Sequence, residues 1–182
     1  MSLSADVTLA CWASLEVSLR IWERARGKGK RGRDRGTRLR IAVSLGVAIA
    51  VASVASSRLP MPAALRTVGV GVMWLGLALR VWAIATLGGA FRTTVEVDPR
   101  QGVTSGGPYR WVRHPSYAGL VLILIGFGLA LGSYLSLAAC LLLPLPALVR
   151  RIDVEEEELT RVLGDPYRSY QARTARLIPG AW

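Results

Sequence analysis

The residues best suited to chemistry lie in a short stretch at the start of a long apolar segment. His114, the only histidine of the chain, stands here between Arg113 and Pro115, with Tyr109 and Tyr117 close by. Pro115 can occupy the first turn of a helix, because its missing N–H is not needed there. The N–H groups of that turn, beside Arg113 and His114, would attract an anion. We interpret this polar cluster as a functional site; the alternative is an interfacial belt of Trp, Tyr and Arg.

A second polar cluster, residues 151–158, follows where the apolar segment ends. Arg151 and Glu155 are four positions apart and therefore share one face of a helix, with Glu156 on the adjoining stripe. The alternative is an exposed amphipathic helix in which Arg151 and Glu155 merely pair. A helix at a membrane surface normally favours Lys and Arg over a run of acids. We therefore expect these carboxylates to hold a cation near the bilayer, for example a sulfonium.

The composition is that of an integral membrane protein with one domain. The 182 residues are 52% hydrophobic, yet they include 23 Lys and Arg against 12 Asp and Glu. Such a combination arises when apolar spans and basic loops are separated in sequence. The two cysteines, Cys11 and Cys140, both lie in apolar stretches, so we expect neither a disulfide framework nor a metal site.

Four apolar regions could cross a membrane, which takes about 20 helical residues. They lie near residues 7–22, 41–59, 64–87 and 117–149. Most basic residues fall outside them, in 20–40, in 88–113 and in the tail from 150, and the positive-inside rule places these three regions on the cytoplasmic face. Both ends of 117–149 are then cytoplasmic, so this region must turn back, and we place the turn at Gly132–Ser133.

The predicted fold is an all-α, multi-pass membrane bundle of five transmembrane helices, with a helical hairpin and a cytosolic C-terminal helix. Residues 1–89 would form three of the helices and residues 90–182 the cofactor-binding and catalytic core. Arg80, near the end of the third helix, is expected to snorkel towards the interface, the alternative being a role in the site. We interpret the basic loop 24–40 as lying near anionic lipid, and not as a nucleic-acid site, because it offers no aromatic rings for stacking.

The two clusters together resemble the isoprenylcysteine carboxyl methyltransferase family. The resemblance covers about residues 90–179 and rests on the run from Val103 to Gly119 followed, after the hairpin, by a second set of residues: Arg151, Glu155, Glu156, Leu159, Gly164, Tyr167 and Tyr170. The same core is similar to phospholipid N-methyltransferases and, more distantly, to membrane sterol reductases. The resemblance implies a membrane methyltransferase that uses S-adenosyl-L-methionine without a Rossmann glycine fingerprint.

Carried over position by position, the resemblance implies a role for each site residue. Arg151 would touch the methyl acceptor. The cofactor would be bound by ten residues: Arg100, Gln101, Gly102, Val103, Tyr109, His114, Pro115, Ser116, Tyr117 and Glu155.

The function we favour is methyl transfer to a lipid-embedded acceptor at the cytoplasmic face, of the plasma membrane in a prokaryote or of the endoplasmic reticulum in a eukaryote. For a prenylcysteine-type carboxylate, Arg151 would orient the anion and no base is needed. For a phospholipid amine a proton must leave first, and Glu156 would be the candidate base. Two further alternatives are a sterol-reductase-like enzyme with a nicotinamide cofactor and a non-catalytic membrane scaffold.

Overall fold

The computed structural model describes residues 36–88 and 102–180, together with residues 10, 12–14 and 17–18. Six α-helices lie in the two long ranges: α1 Thr37–Val54, α2 Ala64–Leu87, α3 Pro115–Ala130, α4 Tyr134–Leu142, α5 Leu145–Leu163 and α6 Asp165–Gln171. Short 3-10 turns span Ala55–Ser57 and Gly107–Arg110. Within these ranges, strand-like pairing is limited to isolated bridges, which confirms the all-α class.

Three stretches among the described residues are long and apolar enough to cross a membrane. They are Thr37–Ser57, Ala64–Leu87 and Tyr134–Leu163, and the shorter apolar helix Pro115–Ala130 accompanies them. The expectation of a multi-pass membrane protein is thereby confirmed. Most of the first predicted span, near residues 7–22, lies outside the described residues, so the count of five helices stays a prediction.

The predicted reversal at Gly132–Ser133 is confirmed. Gly132 has a φ of +70°, a left-handed conformation that glycine adopts without steric cost. The Ser133 side chain caps α4 by accepting a hydrogen bond from the N–H of Ser136 at 3.3 Å. The same hydroxyl donates to the carbonyl of Ala55 at 3.1 Å, which ties the hairpin turn to the end of α1.

The second arm of the hairpin differs from the prediction, which ended it at Val149. It is divided into α4 and α5 at Leu143–Pro144, where proline supplies no N–H for the helical ladder. Helix α5 then continues to Leu163 without a break. The second polar cluster is therefore an extension of the same helix that leaves the apolar region.

Helices α2 and α3 approach each other at glycines. A Cβ atom at Gly76 would lie 2.6 Å from the carbonyl oxygen of Gly119, and one at Gly126 would lie 2.5 Å from that of Gly69. Real Cβ atoms do not come this close, so only glycine permits the contact. Such close backbone approach is typical of helix pairs in membranes. It sets the position of the α3 start relative to α2.

The turn between α1 and α2 contacts the turn between α3 and α4 at one end of the bundle. The N–H of Met61, between α1 and α2, donates to the carbonyl of Gly132 at 2.8 Å, and the N–H of Tyr134 donates to that of Leu59 at 3.0 Å. A buried apolar cluster that includes Met73 and Phe127 fills the middle of the bundle. Both polar clusters lie at the other end.

Candidate active site

The turn Gly107–Arg110 brings Tyr109 into the site by packing against the end of α2. Gly107 has a φ of +53°, and a Cβ atom there would lie 2.8 Å from Oγ1 of Thr86. Glycine is therefore required both by the backbone conformation and by the neighbouring helix. Tyr109 itself is 6% exposed.

Helix α3 begins at Pro115, as predicted, with His114 at the N-cap position. Pro115 is fully buried. The N–H groups of Tyr117 and Ala118 both donate to the carbonyl of His114 at 3.0 Å. Our expectation that the N–H groups of this turn are available to an external anion is therefore wrong for these two.

The anion beside Arg113 and His114 is the carboxylate of Glu156. Its Oε1 lies 2.7 Å from Nε of Arg113 and 3.1 Å from Nε2 of His114. Its Oε2 lies 3.0 Å from Nη2 of Arg176. The two predicted clusters thus meet, and residues that we expected to attract a ligand anion hold one supplied by the chain.

These contacts oppose the predicted role of Glu156 as a base. Arg113 and Arg176 are cations, and the imidazole of His114 makes a third contact with the carboxylate. The ionised form of Glu156 is therefore stabilised on both oxygens. Glu156 is 5% exposed. A carboxylate stabilised in this way gives up much of its tendency to take a proton.

A second chain of contacts connects Arg151 with Glu155 through a tyrosine. Tyr117 donates from its hydroxyl to Oε2 of Glu155 at 2.8 Å, and Nε of Arg151 donates to the same hydroxyl at 3.1 Å. Nη1 of Arg151 also donates to Oγ1 of Thr37 at 3.0 Å. Arg151 is 3% exposed, so the alternative of a solvated surface pair is wrong. The ring of Tyr117 stacks on His114 with 5.7 Å between centroids.

We expected Arg80 to snorkel to the interface, but its side chain is buried instead. It is 7% exposed, and its Nη1 donates to the carbonyl of Ser116 at 2.9 Å and to Oγ of the same residue at 2.8 Å. Arg80 therefore fixes the first turn of α3. The signal in the sequence was a charge well inside an apolar helix, which is costly unless it has a partner in the bundle.

The C-terminal segment 170–176 closes the other side of this turn. Main-chain N–H groups of Arg113 and His114 donate to the carbonyls of Ala175 and Arg176 at 2.8 and 3.0 Å. The hydroxyl of Tyr170 donates to the carbonyl of Tyr109 at 2.6 Å. Sequence reasoning missed Arg176 and Thr37, because nothing near them in the chain distinguishes them from other basic-loop and tail residues.

Burial changes the acid–base properties of the tyrosines around the turn. It raises the pKa of Tyr170 to about 12. Burial, followed by the negative charge of Glu155, also raises the pKa of Tyr109 above its ordinary value. Both hydroxyls therefore stay protonated at neutral pH, and that of Tyr170 donates its hydrogen bond to the carbonyl of Tyr109 in this form.

The remaining predicted residues lie at the margin of the site. Gly102 is exposed and Val103 half-buried in the irregular segment that leads into the turn. Arg100 and Gln101 lie outside the described residues. Among the described residues, no three or more His, Cys, Asp or Glu side chains are grouped so that they could hold a metal ion.

The sequence that forms this site matches a known family of membrane proteins. The model of the isoprenylcysteine carboxyl methyltransferase (ICMT) family matches residues 69–161, about half of the chain. The chain belongs to this family. The match contains Arg80, His114 and the second cluster, whereas Thr37 and Arg176 lie outside it.

Individual relatives agree with the family. The protein-S-isoprenylcysteine O-methyltransferase of Tribolium castaneum is 33% identical over 117 residues, which are 63% of this chain and 42% of that protein. The enzyme of the same name from Schizosaccharomyces pombe is 30% identical over 116 residues, 63% of this chain and 49% of its own length. YpbQ of Bacillus subtilis, described as uncharacterized, is 30% identical over 94 residues, 47% of this chain and 56% of YpbQ.

A solved structure shares the fold. The eukaryotic intramembrane Ras methyltransferase ICMT superposes with a TM-score of 0.61 at 27% sequence identity, covering 83% of this chain and 55% of that one. The chain thus spans less than half the length of the two named enzymes and little more than half of the solved one.

Proposed function

We propose that this protein is an S-adenosyl-L-methionine-dependent methyltransferase that methylates the carboxylate of a prenylcysteine-type acceptor embedded in the membrane. The observation that carries the proposal is the chain of contacts in which the buried guanidinium of Arg151 and the carboxylate of Glu155 share the hydroxyl of Tyr117. One charge of each sign, held on one helix face, suits two ligands of opposite charge. Family membership supports the reaction class.

The described residues fit this cofactor in the chemistry of their donor and acceptor groups. When bound, S-adenosyl-L-methionine supplies a methyl group activated on a positively charged sulfur. Glu155 offers a carboxylate towards that charge, Tyr109 offers a buried ring, and Tyr117 offers a half-buried ring and its hydroxyl. The proposed cofactor-binding residues are those of the predicted set: Arg100, Gln101, Gly102, Val103, Tyr109, His114, Pro115, Ser116, Tyr117 and Glu155.

Arg151 would orient the acceptor. Its guanidinium stays charged at any physiological pH and can hold a carboxylate by paired, charge-assisted hydrogen bonds. Contacts with Tyr117 and Thr37 from two sides restrain the guanidinium before an acceptor arrives. Alignment of a restrained nucleophile with the methyl group can lower the activation barrier by several kcal/mol through proximity. The anionic nucleophile requires no base, so the proposed reaction does not use Glu156 as one.

An amine headgroup is the competing acceptor, and the contacts of Glu156 disfavour it. Amine methylation requires removal of a proton, and Glu156 was the candidate base. The contacts with Arg113, His114 and Arg176 stabilise its ionised form on both oxygens. The carboxylate acceptor is therefore the better match to the site.

We further propose that the site faces the cytoplasm. The site lies at the end of the bundle where Thr37, within the basic segment 20–40, meets Arg151 of the basic tail. Basic segments collect on the cytoplasmic side of membranes. The turns at 58–63 and 131–134 lie at the opposite end, which the same rule places outside.

Methyl transfer with the purified full-length chain tests the proposal. The acceptor is N-acetyl-S-farnesylcysteine, its carboxamide serves as the matched control, and phosphatidylethanolamine vesicles represent the amine. We expect radiolabel from S-adenosyl-L-methionine to enter the acid but not the amide, as an ester that alkali hydrolyses to methanol. Label in the phospholipid alone, stable to alkali, would establish the amine enzyme instead. Binding of NADPH without binding of S-adenosylhomocysteine would refute both.

A further inference from the structure

Arg176 holds His114 from two directions. The carbonyl oxygen of Arg176 accepts the main-chain N–H of His114 at 3.0 Å. Its side-chain Nη2 lies 3.0 Å from Oε2 of Glu156, whose other oxygen lies 3.1 Å from Nε2 of His114. A single tail residue therefore contacts the backbone of His114 directly and its ring through Glu156.

The two oxygens of Glu156 have different partners, and this assigns a task to Arg176. Oε1 meets Arg113 and His114, whereas Oε2 meets Nε and Nη2 of Arg176 at 3.1 and 3.0 Å. The terminal torsion of a glutamate is broad and poorly restrained by itself. Without Arg176 the carboxylate could rotate, and Oε1 would leave the position that fixes the imidazole.

The Arg176 guanidinium also contacts a second, more exposed carboxylate. Its Nη1 donates to Oδ1 of Asp153 at 3.1 Å, one turn before Glu156 on α5. The Asp153 side chain is 39% exposed and that of Glu156 only 6%. The partly solvated pair with Asp153 contributes little by itself, whereas the pair with Glu156 lies within the protein beside His114.

We infer that Arg176 is a positioning residue of the site, which fixes the ring of His114 by holding the carboxylate of Glu156. Its consequence for cofactor binding rests on the proposed function, whereas the positioning of the imidazole does not. Arg176 lies beyond residues 69–161 and thus outside the part of the chain that the family model matches. The segment 170–176 therefore contributes a positioning residue to the site.

The single histidine of the chain allows a direct test. In protein labelled with carbon-13 at the imidazole, every histidine signal reports on His114, with no ligand present. Arg176→Gln should shift and broaden these signals. Asp153→Asn, the matched control, removes the charge from the other contact of the same guanidinium and should leave the signals at their wild-type positions. Wild-type signals in Arg176→Gln, or equal changes in both variants, would overturn the inference.

Calorimetric titration with S-adenosylhomocysteine provides the functional arm. We expect about tenfold weaker binding by Arg176→Gln, the scale of one charge-assisted hydrogen bond, and wild-type binding by Asp153→Asn. Unchanged affinity in Arg176→Gln would contradict the inference. A wild-type protein that does not bind the ligand, while the imidazole signals respond as expected, would refute the proposed function and leave the positioning role intact.

Arg176→Lys covers the case in which Arg176→Gln does not fold. Lysine keeps the charge but lacks the planar fork that reaches Asp153 and Glu156 together. We expect a folded protein with altered imidazole signals and weakened ligand binding. Arg176→Lys with wild-type signals would show that charge alone suffices, and the inferred positioning by the Arg176 guanidinium would be wrong.

Discussion

The hydroxyl of Tyr117 lies between Arg151 and Glu155, accepting from Nε of the arginine at 3.1 Å and donating to Oε2 of the glutamate at 2.8 Å. The two charges are thus coupled through a residue of another helix. The tyrosine fixes the position of the guanidinium relative to the carboxylate. This relationship distinguishes the Arg151–Glu155 pair from a surface ion pair, which stabilises a protein by about 0–1 kcal/mol.

Tyr117→Phe should impair both halves of the site. The ring and its packing on His114 are kept, but Arg151 and Glu155 each lose a hydrogen-bond partner. An unsatisfied buried polar group costs about 1–3 kcal/mol, so we expect roughly ten- to hundredfold lower kcat/KM with retained folding. Tyr134→Phe, at an exposed tyrosine of the opposite end, is the control and should behave as wild type. Equal activity of both variants would contradict the coupling.

Arg151→Ala and Glu155→Gln should affect different ligands. The arginine variant loses the cation for the acceptor, so the acceptor KM should rise while affinity for S-adenosylhomocysteine is nearly kept. The glutamine variant loses a negative charge near the proposed cofactor, so its affinity should fall by about 1.5–3 kcal/mol, roughly ten- to hundredfold. Parallel calorimetry and turnover measurements separate the two effects. Near-wild-type behaviour of both would leave α5 as a scaffold.

Glu156→Gln should damage stability more than chemistry. The amide keeps the shape of the side chain but removes the negative charge that Arg113 and Arg176 share, and Arg176 keeps only its more exposed charge partner Asp153. Loss of one partner of a buried charge cluster costs about 3–5 kcal/mol. We expect a clearly lower Tm in detergent, whereas Glu157→Gln at an exposed neighbour should change it little. A stable Glu156→Gln variant that binds cofactor but methylates no acceptor would instead support a role as base.

Gly76→Ala should weaken the contact between α2 and α3. The added methyl would lie 2.6 Å from the carbonyl oxygen of Gly119, a position that only a backbone shift can accommodate. Overpacking of this kind costs about 1–3 kcal/mol. Gly71→Ala lies in the same helix with nothing within 4 Å of the added atom, and should be neutral or stabilising. Thermal unfolding of both variants checks the expectation, and equal stability would show that the helices can separate without cost.

Cysteine labelling tests the orientation in the membrane. After replacement of Cys11 and Cys140, single cysteines are placed by Tyr134→Cys at the hairpin turn and by Arg168→Cys in α6. We expect an impermeant maleimide added to intact cells to label the first variant, and to label the second only after permeabilisation. The reverse pattern would put the site on the outer face and would contradict the charge-based assignment.

The sequence by itself determined the locally encoded features. Charge segregation, apolar length and turn-forming residues predicted the membrane class, the reversal at Gly132–Ser133 and the helix start at Pro115, because each depends on neighbours in the chain. Spacing of four also placed Arg151 and Glu155 on one face, since a helical register is a local property. The family resemblance predicted the residues of the site.

Only the tertiary structure decided what these residues contact. Glu156 meets His114 across 42 positions, and Arg151 meets Thr37 across 114. Such contacts depend on how closely helices pack and on which element closes each side, and here glycine contacts between α2 and α3 and the returning tail at Arg176 set both. No local pattern encodes these distances. For that reason the sequence revealed an anion-binding cluster, whereas the fold showed that its anion is Glu156.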